Sequence, residues 1–300
     1  ISAKTSESHV QKLLWAMPDK DMHQRAIDLA LSSDVIVLGM GLSPQLEGEE
    51  MPVLVEGFNK GDRSSLDLPQ SQTKFIKDIV RLGKPVVLVL FNGCALSINW
   101  EKDNVPAIIE AWYGGQSAGS AVADVLFGDF NPSGKLPITF YKSVEQLPAF
   151  DDYSMKNRTY RFFKEEVLFG FGFGLSYSKF LFSDLDVVSV NNKHNFIVSV
   201  KVKNGSSITG TVVVQLYVSR VNPSDRYPLK SLQKFKKIIL KPSEEVKVEF
   251  LLSSINFSII DEDANRTVEK GQFKIFVGES QPNTKEENSK ILSTIVNVAV

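Results

Sequence analysis

The sequence has 300 residues, of which 43 % are hydrophobic and 23 % are charged, and at about 100 to 200 residues per domain this length predicts two soluble domains. The 34 basic and 35 acidic residues give a formal net charge of -1, which offers no positive field for nucleic acid or an anionic membrane surface. Cys94 is the only cysteine, so an internal disulfide is excluded.

The first predicted elements alternate between helical and strand-like patterns. MHQRAIDLALSSD (22–34) has the spacing of an amphipathic helix, and VIVLGMG (35–41) is a short apolar run that predicts a strand buried on both faces. LPQSQTKFIKDIVRLG (68–83) and PVVLVLF (85–91) repeat the helix and the strand. The pattern therefore predicts strands that run parallel to each other.

A third pair follows, as a predicted buried strand at AIIEAW (107–112) and a helix within GGQSAGSAVADVLFG (114–128). The apolar face of this helix is made of small residues: Ala118, Ala121, Val122, Val125 and Leu126. The repeated alternation predicts an open, mostly parallel α/β sandwich, with helices on both faces of the sheet, over residues 1–147.

Residues 148–180 follow neither pattern and are rich in aromatic residues and glycine. A flexible linker would lack such apolar anchors, so this segment is predicted to be an ordered connector. Over residues 181–300 the period changes to two, as in FIVSVKV (196–202), which alternates apolar and polar positions. About seven such short strands predict a fibronectin type III-like β-sandwich.

Three glutamates lie within four positions of SPQLEGEEMP (43–52): Glu47, Glu49 and Glu50. They belong to a predicted loop over residues 41–68, far longer than the two to six residues typical of a connection from strand to helix. Ligands of open α/β sheets bind in the crevice at the carboxyl ends of the strands, where this loop lies. The glutamates are therefore candidates for general acid/base catalysis, and the alternative is that they are only solvated surface charges.

Other sequence features give weaker evidence for a functional site. The glycines of GMG (39–41) resemble the start of a dinucleotide-binding motif, but Pro44 stands where its third glycine is needed and a long loop follows instead of a helix. We therefore expect no nicotinamide or flavin cofactor. The three histidines are far apart in sequence and there is one cysteine, so we expect no metal site. Cys94 follows a predicted strand with no histidine near it in sequence, and we expect an inert core thiol.

The motif KGDR (60–63) leaves two interpretations open. Asp62 and Arg63 are able to form a clamp for ligand hydroxyl groups, or they pair with the loop's own charges and hold its shape.

Five stretches, in this order and spacing, resemble the C-terminal part of family 3 glycoside hydrolases of the β-glucosidase and β-xylosidase type. They are GDRSSLDLPQSQ (61–72), GKPVVLVLFNG (83–93), WYGGQSAGSAVADVLFGDFNPSGKLPITF (112–140), NRTYRFF (157–163) and FGFGLSYSKF (171–180). The resemblance implies a longer enzyme, in which an N-terminal (β/α)8 barrel that carries an aspartate nucleophile precedes these domains.

The resemblance also implies that the general acid/base is a glutamate on the loop before the GDR motif. Glu47 is the first choice by position, with Glu49 and Glu50 as alternates. The implied function is that of the acid/base-bearing and accessory domains of a retaining, exo-acting β-glycosidase, and we expect this chain alone to hydrolyse nothing. The expected partners are an oligosaccharide or an aryl or alkyl β-glycoside and the enzyme's own barrel, with neither nucleic acid nor a membrane.

The family resemblance implies a periplasmic or secreted location, although ISAKTSESHV (1–10) lacks the charged and apolar regions of a signal peptide. The alternative function is a non-catalytic module that contacts carbohydrate or serves as a scaffold. In the β-domain, Tyr217 and Tyr227 are the residues that could touch a sugar, although surface packing is the more common role of such residues.

Overall fold

The computed structural model describes residues 20–190, 195–261, 263–282 and 291–299. The described residues form two compact units, of which the first comprises 20–130 together with 140–146. The second comprises 131–139 and the chain from 147 onward.

The first unit is built on a parallel sheet. The strands of this unit are β1 (Ile36–Gly41), β2 (Phe58–Asn59), β3 (Asp62–Arg63), β4 (Val86–Phe91) and β5 (Ala107–Glu110). Its helices are α1 (Lys20–Leu31), α2 (Gln70–Val80), α3 (Asn99–Asn104) and α4 (Ala118–Phe127). The parallel sheet has the order β1-β4-β5, and Leu88 of the central strand pairs with Leu38 on one side and Ile108 on the other.

The central position of β4 explains its composition. Val86, Leu88, Val89 and Leu90 are at most 2 % exposed, as expected for a strand covered on both faces. Helix α2 begins after Pro69, which suits a helix start because its ring fixes φ and it lacks an N–H, and it buries Ile76 and Ile79. The helix-and-strand pattern of residues 68–91 is thus confirmed.

Two predictions of burial are wrong in detail. The strand predicted over 107–112 ends at Glu110, and none of its residues is fully buried, because β5 is an edge strand of the sheet. The strand predicted over 35–41 is not buried on both faces, because β1 is the other edge strand, and its Val37 is 43 % exposed. The predicted small-residue helix is confirmed as α4; none of its residues is fully buried, and Phe127 at its end is 74 % exposed.

The second unit is mostly antiparallel. It contains α5 (Thr159–Phe162), β6 (Phe180–Val190), β7 (Asn195–Asn204), β8 (Gly210–Arg220), β9 (Ser231–Leu240), β10 (Glu245–Leu252), β11 (Ser258–Ile260), β12 (Arg266–Val268), β13 (Gly271–Gly278) and β14 (Ile291–Val298). Three strands form one sheet in the order β10-β7-β6, and four form another in the order β14-β13-β8-β9. The mixed fold class predicted from the sequence, a parallel α/β sheet followed by antiparallel sheets, is confirmed.

One hydrophobic core joins these two antiparallel sheets. The alternating residues Phe196, Val198, Val200 and Val202 of β7 are at most 3 % exposed, as their period of two predicted. Leu216 of β8 and Ile275 of β13 belong to the same cluster from the other sheet.

The aromatic connector packs on the β-sandwich within the second unit. The ring of Tyr160 stacks on Phe171 at 4.1 Å and meets Tyr217 edge-on at 6.2 Å. Gln215 donates a hydrogen bond to the carbonyl of Gly172 at 3.0 Å. Tyr217 is fully buried and Tyr227 is 6 % exposed under Arg220, so both tyrosines serve packing, and neither offers a face to a sugar.

No helix within the described ranges has the length and apolar character needed to cross a membrane.

Two neighbouring leucines of β10 test the position of the β-sandwich core. Leu252 is fully buried whereas Leu251 is 59 % exposed. We expect Leu252→Ala to lower the free energy of unfolding by about 2 to 5 kcal/mol, because it leaves a cavity. Leu251→Ala, the matched control, should cost less than about 1 kcal/mol. Urea unfolding followed by far-ultraviolet circular dichroism measures both, and equal costs would place the core elsewhere.

Candidate active site

Three loops meet at the carboxyl edge of the parallel sheet. Residues 42–69 follow β1, residues 92–98 follow β4, and residues 111–117 follow β5. Because β1, β4 and β5 are parallel, their carboxyl ends lie at the same edge, which is where open α/β sheets bind ligands.

The long loop after β1 is folded back on itself. Its strands β2 and β3 pair as a small hairpin, and the Met51 N–H donates to the Lys60 carbonyl at 3.1 Å. Gly61, the glycine of the GDR motif, has φ +90°, and a Cβ there would lie 1.5 Å from the Gly48 carbonyl oxygen. Only glycine allows the two limbs of the loop to approach so closely.

Glu47, the first choice for the acid/base, is half-buried and has both carboxylate oxygens engaged. The Cys94 thiol donates to Oε1 at 2.8 Å, and the Tyr113 hydroxyl donates to Oε2 at 2.5 Å. Tyr113 reaches this position by crossing close to Gly93, where a Cβ would lie 2.9 Å from its ring. Glu47 therefore points toward the sheet edge of its own unit.

Arg63 holds the shape of the loop. Its guanidinium donates to the Cys94 sulfur at 2.7 Å and to the backbone carbonyls of Ser65 and Asp67 at 2.8 and 3.2 Å. Of the two interpretations of KGDR, these contacts support the structural one, although the partners are carbonyls and a thiol rather than the loop's charges. Asp62 is exposed.

Cys94 is not the apolar core thiol that the sequence suggested, because it is half-buried between Arg63 and Glu47. Burial, and then the hydrogen bond to Glu47, raise the pKa of the thiol to about 12, against the opposing effect of Arg63. The thiol therefore stays protonated and acts as a hydrogen-bond donor. Its expected chemical inertness follows from this environment.

The Tyr113 hydroxyl, like the Cys94 thiol, has a raised pKa. Burial, and then the hydrogen bond to Glu47, raise the pKa of this phenol above its ordinary value. Both donors to Glu47 thus keep their protons under ordinary conditions.

The other two glutamates are exposed. Glu50 lies 3.5 Å from Lys60 in an ion pair whose partners are both more than two-thirds exposed, and such pairs contribute little. Glu49 has neither a hydrogen bond nor an ion pair with any of the residues that the structure describes. Glu56 and Asp62 of the same loop are also exposed and have no side-chain partner among the described residues.

Sequence reasoning missed Glu110, which ends β5 at the same edge. Burial raises its pKa to about 7, while hydrogen bonds from Asn92 Nδ2 (3.2 Å) and the Trp112 N–H (3.1 Å) act in the opposite direction. Trp112 adopts φ 57°, which is unfavourable for a residue with a side chain, and Glu110 stabilises that turn. A carboxylate at the end of an apolar strand was the signal that could have identified it.

No group of three His, Cys, Asp or Glu residues able to hold a metal ion occurs in the described part of the chain. The chemistry that this edge offers is proton transfer by carboxylic acids.

Comparison with known families gives two matches. Residues 2–177 match the model described as "Glycosyl hydrolase family 3 C-terminal domain", and residues 212–281 match the "Fibronectin type III-like domain".

The chain is similar to larger curated proteins over most of its own length. It is 41 % identical to a xylan 1,4-beta-xylosidase of Xylanibacter ruminicola, over 87 % of this chain and 30 % of that protein. It is 35 % identical to a periplasmic beta-glucosidase of Salmonella typhimurium, over 90 % of this chain and 36 % of that protein. The chain therefore spans about a third of the length of the curated relatives it matches.

Solved structures give the same result. The β-glucosidase of Erythrobacter marinus superimposes with a TM-score of 0.78 at 32 % identity, over 93 % of this chain and 36 % of that one. The GH3 beta-glucosidase of Bifidobacterium adolescentis gives a TM-score of 0.81 at 27 % identity, over 95 % of this chain and 42 % of that one.

The raised pKa of Glu110 predicts a pH dependence of stability. Because the folded state binds this proton more tightly than the unfolded state, its contribution is complete below about pH 4.5 and is lost as the pH rises through about 7. We expect Glu110→Gln to remove a decline on the order of 2 kcal/mol over that interval.

Urea unfolding followed by tryptophan fluorescence measures this effect in the first unit, which contains Trp100 and Trp112, because no tryptophan follows residue 112. The charge-matched control Glu56→Gln changes an exposed glutamate of the long loop. The interpretation is wrong if the wild type and Glu110→Gln decline equally between pH 4.5 and 7.

Proposed function

This chain belongs to glycoside hydrolase family 3, and we propose that it supplies the acid/base-bearing and accessory domains of a retaining, exo-acting β-glycosidase. The proposed substrates are oligosaccharides or aryl and alkyl glycosides with a terminal β-linked xylose or glucose. Support comes from the names of the relatives, which include both xylosidases and glucosidases.

Glu49 is the proposed general acid/base. The observation that carries this choice is the contrast between Glu47, whose two oxygens are both bonded inside its own unit, and Glu49, which is exposed without a partner among the described residues. A residue that protonates a sugar bound elsewhere must extend away from its own sheet edge. Glu50 is a weaker candidate, because its ion pair with Lys60 directs it back to the loop.

The nucleophile in this proposal is an aspartate on an N-terminal barrel of the longer enzyme. That carboxylate attacks the anomeric carbon while Glu49, as the acid, gives its proton to the leaving oxygen. Glu49, now a carboxylate, then takes a proton from the water that releases the sugar. Retaining glycosidases hold the two carboxyl groups about 5 to 5.5 Å apart.

Dividing the two groups between domains makes catalysis depend on docking. Fixed geometry supplies about 7 to 11 kcal/mol of barrier lowering in well-oriented reactions, and a chain without the nucleophile gains none of it. The isolated chain is therefore expected to be inactive. Leu54, at the tip of the long loop, is 99 % exposed, which suits a loop that packs against another surface.

The proposed location is periplasmic or secreted. Support comes from the Salmonella typhimurium relative, whose name describes it as periplasmic.

The direct test is to replace Glu49 by alanine in the longer enzyme that contains this chain. We expect kcat/KM for substrates with poor leaving groups, such as alkyl β-xylosides and β-glucosides, to fall about 10²- to 10⁴-fold, since general acid catalysis is lost. Dinitrophenyl glycosides should keep their first step, because their leaving group needs no proton. Azide should restore turnover and yield the glycosyl azide, because it attacks the glycosyl-enzyme without needing a general base.

Glu50→Ala should keep wild-type rates on both substrate types, and so should Glu56→Ala, which changes another exposed glutamate of the loop. If Glu49→Ala also keeps them, Glu49 is not the acid/base. If alanine at residues 47, 49, 50 and 56 changes neither substrate type, the loop belongs to a non-catalytic module.

A further inference from the structure

One carboxylate connects the loops that follow all three parallel strands. Glu47 lies on the loop after β1, Cys94 on the loop after β4, and Tyr113 on the loop after β5, and both of the latter donate to Glu47. Arg63, from the far end of the long loop, donates to the same Cys94 sulfur. We call these four residues the latch: Glu47, Arg63, Cys94 and Tyr113.

We propose that Glu47 is a positioning residue, and that the latch fixes the segment that carries the general acid/base Glu49. This inference rests on the proposed function, because it assigns Glu47 a role relative to Glu49.

The backbone on both sides of Glu49 is anchored. On one side, the N–H groups of Leu46 and Glu47 donate to the Ser43 carbonyl at 2.9 and 3.0 Å, and Leu46 is 7 % exposed. On the other side, the Met51 N–H donates to the Lys60 carbonyl at 3.1 Å.

Glu49 is therefore the middle one of three residues, 48–50, between the two anchored residues Glu47 and Met51. Two residues extend at most about 7 Å, so a displacement of Glu47 moves Glu49 with it. The side chain of Glu49 is free while its backbone is held, which suits an acid that must meet a substrate at a defined place.

The two hydrogen bonds to Glu47 are strong because their acceptor is a carboxylate. Hydrogen bonds from neutral donors to a carboxylate are about twice as strong as those between neutral groups, and the 2.5 Å distance from Tyr113 lies in the range of such bonds. The raised pKa values of Cys94 and Tyr113 keep both donors protonated at neutral pH. The latch is thus expected to stay closed at neutral pH.

The chain offers matched variants of each contact. Cys94→Ser keeps a donor to Glu47, whereas Cys94→Ala removes it. Tyr113→Phe keeps the ring and removes the hydroxyl. Glu47→Ala removes the acceptor for both donors, and Glu49→Ala serves as the reference for complete loss of the acid.

The test measures kcat/KM of the longer enzyme for alkyl and dinitrophenyl glycosides across pH, with and without azide. We expect Glu47→Ala and Cys94→Ala to lose roughly 10- to 100-fold on alkyl glycosides and less than about threefold on dinitrophenyl glycosides, since a misplaced acid costs only the step that needs it. The basic limb of the pH profile should remain, azide should not restore turnover, and Cys94→Ser should recover most of the loss.

Each other outcome is decisive. If Glu47→Ala loses the basic limb and responds to azide, Glu47 is itself the acid/base and the inference is wrong, while the proposed function survives. If the latch variants lose stability but keep wild-type rates on both substrates, the latch is only structural. If Glu49→Ala has no effect on alkyl glycosides, the assignment of Glu49 fails and the inference fails with it.

Discussion

The carboxylate of Glu47, bonded to one donor from each of two other loops, is the interaction on which the rest of the site depends. A loop of the length of residues 42–69 has many conformations, and ordering it costs about 1 to 2 kcal/mol per residue. The loop buries Leu42, Leu46 and Leu68, which are at most 7 % exposed, but Leu54 is fully in solvent. Between those buried leucines its order also depends on polar contacts: the bonds of Glu47, the carbonyl contacts of Arg63 and the close approach at Gly61.

Those contacts exist because the sheet is parallel. Parallel pairing places the carboxyl ends of β1, β4 and β5 at one edge. Cys94 and Tyr113, which follow Glu47 by 47 and 66 positions in the sequence, therefore come within hydrogen-bond distance of it. The same edge holds Glu110, whose burial produces a second carboxyl group with an unusual pKa. The fold thus separates the glutamates of this edge into partly buried ones that bond the loops together, Glu47 and Glu110, and exposed ones, which include the proposed acid/base Glu49.

The sequence predicted the elements whose environment is set by their own pattern. The continuous apolar run of β4 and the alternation of β7 each indicate burial directly, and both are confirmed. The exposure of β1 and β5 could not be predicted, because an apolar strand is covered only where neighbours pack on it, and both are edge strands. The family followed from motifs, whose order and spacing do not depend on packing.

The sequence predicted which loop carries the candidate site, but not which of its glutamates would be bonded to the sheet edge. Spacing placed Glu47, Glu49 and Glu50 on one loop at the right edge, but it does not determine which side chain turns inward, because that depends on donors from distant loops. No sequence pattern singled out Tyr113, and Cys94 was expected to be a core thiol. Only their distances to Glu47 show that they are its partners.

Hydrogen exchange of this chain, measured by mass spectrometry, tests directly whether Glu47 holds the loop in place. We predict that Glu47→Ala speeds amide exchange in residues 43–65, while peptides from β4 and α2 keep the wild-type rate, because the sheet does not depend on the latch. Unchanged exchange in the loop, or an equal increase throughout the first unit, would contradict this account.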